Sequence, residues 1–76
     1  MVNYTIKLKS FEDIYEFVKK CNQLDCDADL ICGRATVDAK SLLGVFSLDI
    51  NRSLKLAINT NNPFLAEQIM EPYIAA

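Results

Sequence analysis

The sequence predicts an α+β domain, an open-faced two-layer sandwich in which a four-stranded, mostly antiparallel sheet carries helices on one face. Two observations predict this class. Four segments alternate apolar and polar residues with a period of two, and three others carry apolar residues at helical spacing. In chain order the elements read βαββαβα. Each strand shows one apolar face and needs a layer of helices to cover it, so two layers suffice.

The first strand and the first helix are separated by a capping serine. Residues 2–9 alternate, which predicts a half-buried strand. Ser10 followed by Asp13 resembles a capping box, and Glu12 and Asp13 suit the positive end of a helix dipole. We therefore predict a helix over residues 11–22, with an apolar stripe at Phe11, Ile14, Phe17, Val18 and Cys21.

A β-hairpin is predicted next. Gly33 and Arg34 form a tight turn, and residues 35–39 return as a second strand. In the first strand one face carries Ala28, Leu30 and Cys32, and the other carries Asp27, Asp29 and Ile31. The two strands of the hairpin supply the second and third strands of the sheet.

The period changes again over residues 39–50, which predict a short helix from about Ser41 to Leu48. The Ser41 hydroxyl can cap this helix by accepting a backbone N–H bond. Its apolar residues fall on more than one face: Leu42, Leu43, Val45, Phe46 and Leu48. Some of Leu42, Leu43 and Phe46 should therefore anchor the helix to the sheet, while the remainder form an exposed docking patch. The alternative is that all of them belong to the core and Ser41 is a cap only.

The last strand and helix complete the predicted fold. Residues 54–59 alternate as a fourth strand after a loop over residues 49–52. Pro63 follows two asparagines and suits the first position of a helix, which Pro72 should end or kink. The apolar residues of this helix are Phe64, Leu65, Ile69 and Met70.

Length and charge limit the classes of function. With 76 residues, 51% of them hydrophobic, and a net charge of −2, we expect a single domain spanning residues 1–76 that does not bind nucleic acid. The N-terminus lacks a basic and apolar leader, and no apolar stretch approaches the ~20 residues that span a bilayer. We therefore expect a cytoplasmic protein without a membrane partner. The oligomeric state stays open, since the apolar patch could also close a dimer.

No arrangement of residues in the sequence is typical of a catalytic or metal site. The spacing of Cys21, Cys26 and Cys32 matches no common zinc pattern, and the chain has no histidine. The carboxylates lack the spacing and glycine turn of a calcium loop, and no catalytic triad or glycine-rich phosphate loop is present. We expect three free thiols, no metal, no cofactor and no enzymatic activity.

Residues 40–48, which read Lys-Ser-Leu-Leu-Gly-Val-Phe-Ser-Leu, closely resemble the regulatory serine region of HPr, the histidine-containing phosphocarrier of the bacterial sugar phosphotransferase system. The resemblance extends without a gap back to residues 17–19, Phe-Val-Lys, and forward to about Ile58. It implies the same α+β fold that the hydrophobic pattern predicts.

The resemblance also implies where phosphoryl chemistry would lie. The family's carrier histidine falls on Ser10, its arginine on Glu12 and its proline on Asp13, so this chain resembles a divergent member that lacks the phosphohistidine. Ser41 stands where a regulatory kinase phosphorylates HPr proteins of many Gram-positive bacteria. A phosphate there would lie at the start of the short helix, where the dipole favours it.

Three functions remain open from the sequence. The first is a non-catalytic binding or regulatory module that contacts phosphotransferase-system enzymes, HPr kinase or a transcriptional regulator through Leu42, Leu43, Phe46 and the start of the first helix. The second is a phosphoacceptor or phosphocarrier that uses serine, with Ser41 favoured over Ser10. The third is an assembly protein unrelated to sugar uptake.

Overall fold

Three helices and a four-stranded sheet form two layers in the computed structural model of the protein, which describes residues 1–75. The predicted order βαββαβα is confirmed. The elements are β1 (Val2–Ile6), α1 (Phe11–Cys21), β2 (Ala28–Cys32), β3 (Ala35–Asp38), α2 (Leu42–Phe46), β4 (Leu54–Ile58) and α3 (Pro63–Met70), followed by a 3₁₀ turn over Glu71–Tyr73.

The sheet is antiparallel throughout and has the strand order β1-β4-β2-β3. Leu56 of β4 lies at its centre, paired with Tyr4 on one side and with Leu30 on the other. The core consists of the inward residues of the strands and of the helix stripes that cover them. The opposite face of the sheet is open to solvent and carries Asn3, Thr5, Asp29, Thr36 and Lys55.

The first helix begins as predicted. The Ser10 hydroxyl accepts a hydrogen bond from the Asp13 backbone N–H (3.3 Å), and the Asp13 carboxylate accepts one from the Lys9 backbone N–H (2.9 Å). The first bond satisfies an N–H that a helix start leaves without a partner, and the second joins the residue before the cap to the first turn. The buried face of α1 consists of Ile14, Phe17, Val18 and Cys21.

Phe11 is a correction to the predicted stripe, because it is 73% exposed. As the first residue of α1 it lies at the end of the helix, and its ring packs on Phe46 of α2 rather than in the core. The helix itself ends at Cys21, with Asn22 as its C-cap.

The last helix follows the predicted stripe only in its second half, where Ile69 packs against the core and Met70 is buried. Phe64 and Leu65 are exposed, whereas Ala66 and Met70 are buried. Around the helix axis, residues 64 and 65 lie about 120–140° away from the mean direction of residues 66 and 70, which are i and i+4 on a helix. The inward stripe therefore starts at a small residue that the hydrophobic pattern did not single out.

The chain end adds a contact that the hydrophobic pattern did not predict. The Lys7 N–H donates to the Tyr73 carbonyl (2.8 Å), and the Ala75 N–H donates to the Thr5 carbonyl (2.8 Å). These bonds, with an isolated bridge between Ile6 and Ile74, cover part of the outer edge of β1. Strand β1 itself ends at Ile6 instead of the predicted residue 9, although Leu8 is still buried.

The turn of the hairpin and the contact between α1 and α2 each depend on particular residues. Gly33 has φ +59°, the left-handed conformation that a two-residue hairpin turn needs and that glycine adopts without strain. The Lys40 ammonium donates to the Leu24 carbonyl (2.8 Å), and the Asn22 amide donates to the Lys40 carbonyl (3.1 Å). These bonds join the end of α1 to the start of α2.

Neither a membrane span nor a metal cluster is found among residues 1–75. No helix in this range is long and apolar enough to cross a bilayer. Its cysteine and carboxylate side chains form no group of three that could hold a metal ion.

Candidate functional site

The start of α1 brings together a hydroxyl and two carboxylates. The Ser10 side chain is exposed, and its oxygen accepts the capping bond from Asp13. Glu12 is exposed beside it, and the Asp13 carboxylate faces the Lys9 backbone. A dianionic phosphate at Ser10 would thus lie next to two negative side chains, which oppose the favourable field of the helix N-terminus.

The second candidate serine caps α2. The Ser41 hydroxyl accepts a hydrogen bond from the Gly44 backbone N–H (3.1 Å), as the sequence predicts, and the side chain is half-buried. The helix is shorter than predicted, ending at Phe46 instead of Leu48, where the Ser47 hydroxyl donates to the Gly44 carbonyl (2.6 Å). Ser41 therefore has a structural role whether or not it is modified.

Helix α2 divides its apolar residues between core and solvent. Val45 is fully buried, and Leu42 is partly buried and packs against the core. Leu43 is 83% exposed and Phe46 is 40% exposed. The prediction that some residues of α2 anchor it while others face solvent is confirmed for these positions. Of the three predicted docking residues, Leu42 belongs mainly to the anchoring set.

Phe46 meets the start of α1 and forms an aromatic surface there. The rings of Phe11 and Phe46 are 5.5 Å apart between centroids and tilted by 48°, within the range of favourable aromatic pairs. Tyr15, one turn further along α1, lines the same groove and is itself exposed. We call the three aromatic residues Phe11, Tyr15 and Phe46, together with the exposed Leu43 of α2, the aromatic patch.

Carboxylates border the aromatic patch. Glu12 and Glu16 line the same groove as the rings and are exposed. The Lys19 ammonium lies 5.6 Å from the centroid of the Tyr15 ring, at a cation–π distance. The groove is therefore lined by three aromatic rings and two carboxylates, and the Lys19 ammonium lies beside the Tyr15 ring.

The sequence predicted that the start of the first helix joins this surface, but it placed Phe11 in the core and did not single out Tyr15. A signal was available for Tyr15, which stands four residues after Phe11 and off the buried stripe. No comparable signal existed for the contact between Phe11 and Phe46, since it joins residues far apart in the chain.

The cysteines have the character of structural side chains. All three are free thiols, with Cys21 and Cys32 buried and Cys26 half-buried. Burial raises the pKa of the Cys21 thiol to about 12. Its sulfur lies 4.0 Å from that of Met70. A thiol that holds its proton to such a high pH is a poor nucleophile at neutral pH.

Residues 14–71 match the protein family described as the PTS HPr component phosphorylation site. This chain belongs to the HPr family. The matched residues include the whole of residues 40–48, with Ser41, and they begin after Ser10. HPr proteins are phosphocarriers of the sugar phosphotransferase system rather than enzymes in themselves.

Solved HPr structures have the same fold. The crystal structure of HPr-C-His from Thermoanaerobacter tengcongensis is 21% identical and superimposes with a TM-score of 0.76, over 93% of this chain and 85% of that one. The phosphocarrier protein HPr from Bacillus anthracis str. Ames is 24% identical, with a TM-score of 0.72 over 93% of this chain and 87% of that one. No curated protein matches the chain.

Proposed function

We propose that this HPr-family chain is a non-catalytic binding or regulatory module that does not carry a phosphohistidine. The observation that carries the proposal is the absence of histidine from its 76 residues. In the register of the resemblance, the carrier position is Ser10, whose hydroxyl caps α1. We also propose that the protein is cytoplasmic, as the sequence predicts.

The chemistry of serine supports this proposal. A phosphorylated imidazole is a reactive phosphoramidate that can pass its phosphoryl group to an acceptor, whereas a serine phosphate is a stable ester. Replacing the carrier histidine by Ser10 therefore removes the property that onward transfer needs. Glu12 and Asp13 beside it weaken the case for any phosphate at this position.

Incubation with phosphoenolpyruvate and the first enzyme of the phosphotransferase system tests the loss of the carrier function. We expect intact-mass spectrometry to show no added phosphoryl group on this protein. The phosphocarrier HPr of Bacillus anthracis is the positive control in the same reaction. A phosphoryl group mapped to Ser10 would contradict the proposal.

The binding role rests on the exposed residues of α2 and the start of α1. We expect titration against the phosphotransferase-system enzymes, HPr kinase and associated transcriptional regulators to identify a partner. This partner should contact Leu43 and Phe46, while Leu42 packs beneath them against the core. Phe46→Ala should weaken that binding. A wild-type protein that binds none of them at high micromolar concentration would instead favour an assembly role unrelated to sugar uptake.

Regulatory phosphorylation at Ser41 is the second candidate. It is favoured because residues 40–48 lie within the part of the chain that matches the family. Phosphorylation replaces the Ser41 hydroxyl hydrogen and leaves an oxygen that can still accept from the Gly44 N–H, and the added phosphate oxygens could accept further bonds from the same helix start. Incubation with HPr kinase and ATP should add one phosphoryl group to the wild type and none to Ser41→Ala. Modification of both proteins would place the group elsewhere.

A further inference from the structure

We propose that the aromatic patch binds a protein segment that inserts an apolar side chain and flanks it with lysine or arginine. This inference rests on the proposed binding function and specifies the partner of the same surface. It follows from the exposed rings and from the two carboxylates of α1 that line the groove with them.

The apolar part of the groove is formed before any partner arrives. The paired rings of Phe11 and Phe46 form one side, and Tyr15 continues the surface along α1. Leu43 lies one turn before Phe46 on α2 and extends the apolar area on that helix. Exposed aromatic residues of this kind are typical anchors of protein interfaces, since they bury a large area with few side-chain torsions to fix.

The charges beside the groove favour a partner segment that carries positive charge. Glu12 and Glu16 are separated by one helical turn, where two like charges repel each other. The lysines that follow on α1 lie over aromatic rings, with Lys19 at 5.6 Å from the Tyr15 centroid and Lys20 at 5.4 Å from the Tyr73 centroid. A cationic side chain from a partner would relieve the repulsion between the two glutamates.

A second copy of this chain is a poor occupant of the same groove. Two patches facing each other would bring both pairs of glutamates together, and like charges across an interface oppose association. The whole chain also has a net charge of −2, so the long-range field does not favour a dimer. A basic segment with an apolar anchor satisfies both the rings and the carboxylates.

NMR titration of the ¹⁵N-labelled protein with three synthetic amphipathic peptides tests the inference. The first peptide has leucine and phenylalanine anchors flanked by lysine. The second has the same anchors flanked by glutamate, and the third keeps the lysines but replaces the anchors by alanine. We expect the first peptide to shift the amide signals of residues 11–16 and 43–47 and to bind about tenfold tighter than either of the others, with an affinity that falls as salt is added.

Charge variants separate this inference from the proposed function. Glu12→Lys with Glu16→Lys should invert the preference between the first two peptides. Glu67→Lys with Glu71→Lys makes the same change of net charge on exposed residues of α3 and the turn after it, and should leave the preference unchanged. Phe46→Ala should weaken the binding of every peptide that carries the anchors.

The outcomes distinguish three kinds of failure. Equal binding of the basic and acidic peptides, or an equal response to both pairs of charge variants, would overturn the charge inference while leaving a binding module intact. Shifts that map outside the aromatic patch, or no shifts at all, would overturn the choice of this groove. The proposed function fails separately, if no phosphotransferase-system protein binds the wild type.

Discussion

Phe46 lies on the solvent side of α2, directly after the buried Val45. Its ring is 40% exposed and contacts Phe11. Truncation to alanine removes this surface contact but opens no cavity in the core. An aromatic pair is worth about 0.5–1.5 kcal/mol beyond the area that it buries, so we expect Phe46→Ala to reduce the free energy of unfolding by at least this much but by less than truncation of a fully buried phenylalanine. Thermal unfolding followed by circular dichroism measures the change.

A core phenylalanine provides the matched control for this prediction. Phe17 is fully buried, and Phe17→Ala should cost about 3–5 kcal/mol, which is a large part of the stability of so small a domain. If Phe46→Ala lowered the melting temperature as much as Phe17→Ala does, the ring would belong to the core in solution, and the physical basis of the docking patch would be lost.

The buried thiol and two tyrosines predict a loss of stability at alkaline pH. Burial raises the pKa of Cys21 to about 12 and also raises the pKa of Tyr73 and of Tyr4, with Glu16 and Glu67 adding to the respective shifts. The folded state therefore keeps these protons to a higher pH than the unfolded state. Stability should be unaffected below about pH 9 and should fall as the pH rises toward 12.

Urea unfolding at a series of pH values measures this alkaline loss. Cys26→Ser is the control, because that thiol is only half-buried, and the variant should show the same decline as the wild type. Tyr73→Phe should make the decline less steep, since it removes one of the groups whose pKa is raised. A midpoint that stays constant as the pH rises from about 9 toward 12 would contradict the prediction.

At the scale of elements, α2 approaches β3 closely at Gly44. A Cβ at this position would lie 3.2 Å from the Val37 Cβ and 3.3 Å from the Ser41 Oγ, closer than side chains ordinarily pack. Alanine favours a helix over glycine by about 1 kcal/mol, but here its methyl group would push α2 from the strand and disturb the Ser41 cap. We expect Gly44→Ala to destabilise the protein despite its helix propensity, as measured by chemical unfolding.

A second substitution tests the cause of that destabilisation. Val37→Gly removes the Cβ that a side chain at position 44 would meet, so Gly44→Ala should cost less stability in the Val37→Gly background than in the wild type. Such non-additivity is expected for residues in contact. If the two changes were strictly additive, the close approach of α2 to β3 would not be the reason for the loss.

At the scale of the whole molecule, the chain end completes both the sheet edge and the core. Tyr73 is buried, its ring lies edge-on to Phe17 with centroids 5.6 Å apart, and its carbonyl accepts the Lys7 N–H. Small domains bury only about 60% of their unfolded surface and so depend on each such contact. Tyr73→Ala should cost about 3 kcal/mol or more in urea unfolding, in the range of buried aromatic truncations.

Tyr73→Phe keeps the ring and its packing, and it should unfold near the wild-type urea concentration at neutral pH. This pair of variants separates the ring from the hydroxyl. A large loss in Tyr73→Phe would show that the hydroxyl, rather than the packing of the ring against Phe17, stabilises the chain end.

The order of the elements and most of the core could be predicted from the sequence. Alternation along β4 and the stripe of Ile14, Val18 and Cys21 are local patterns, and each fixes which side of its own element faces inward. The capping roles of Ser10 and Ser41 were likewise predicted from neighbouring residues, because both acceptors bind an N–H three residues ahead.

The tertiary structure alone decided which apolar residues at the helix ends are exposed and which of them contact each other. Phe11 and Phe64 are as apolar as Phe17, yet they are exposed, because an element's position against its neighbours determines whether a helix end is covered. The same holds for the meeting of Phe11 with Phe46 and for the bonds between residues 5–7 and 73–75. The sequence by itself determined the periods, the caps and the missing histidine, which depend on residue type and spacing along the chain. The patch and its acidic border depend on distances between separate elements, which local periodicity does not encode.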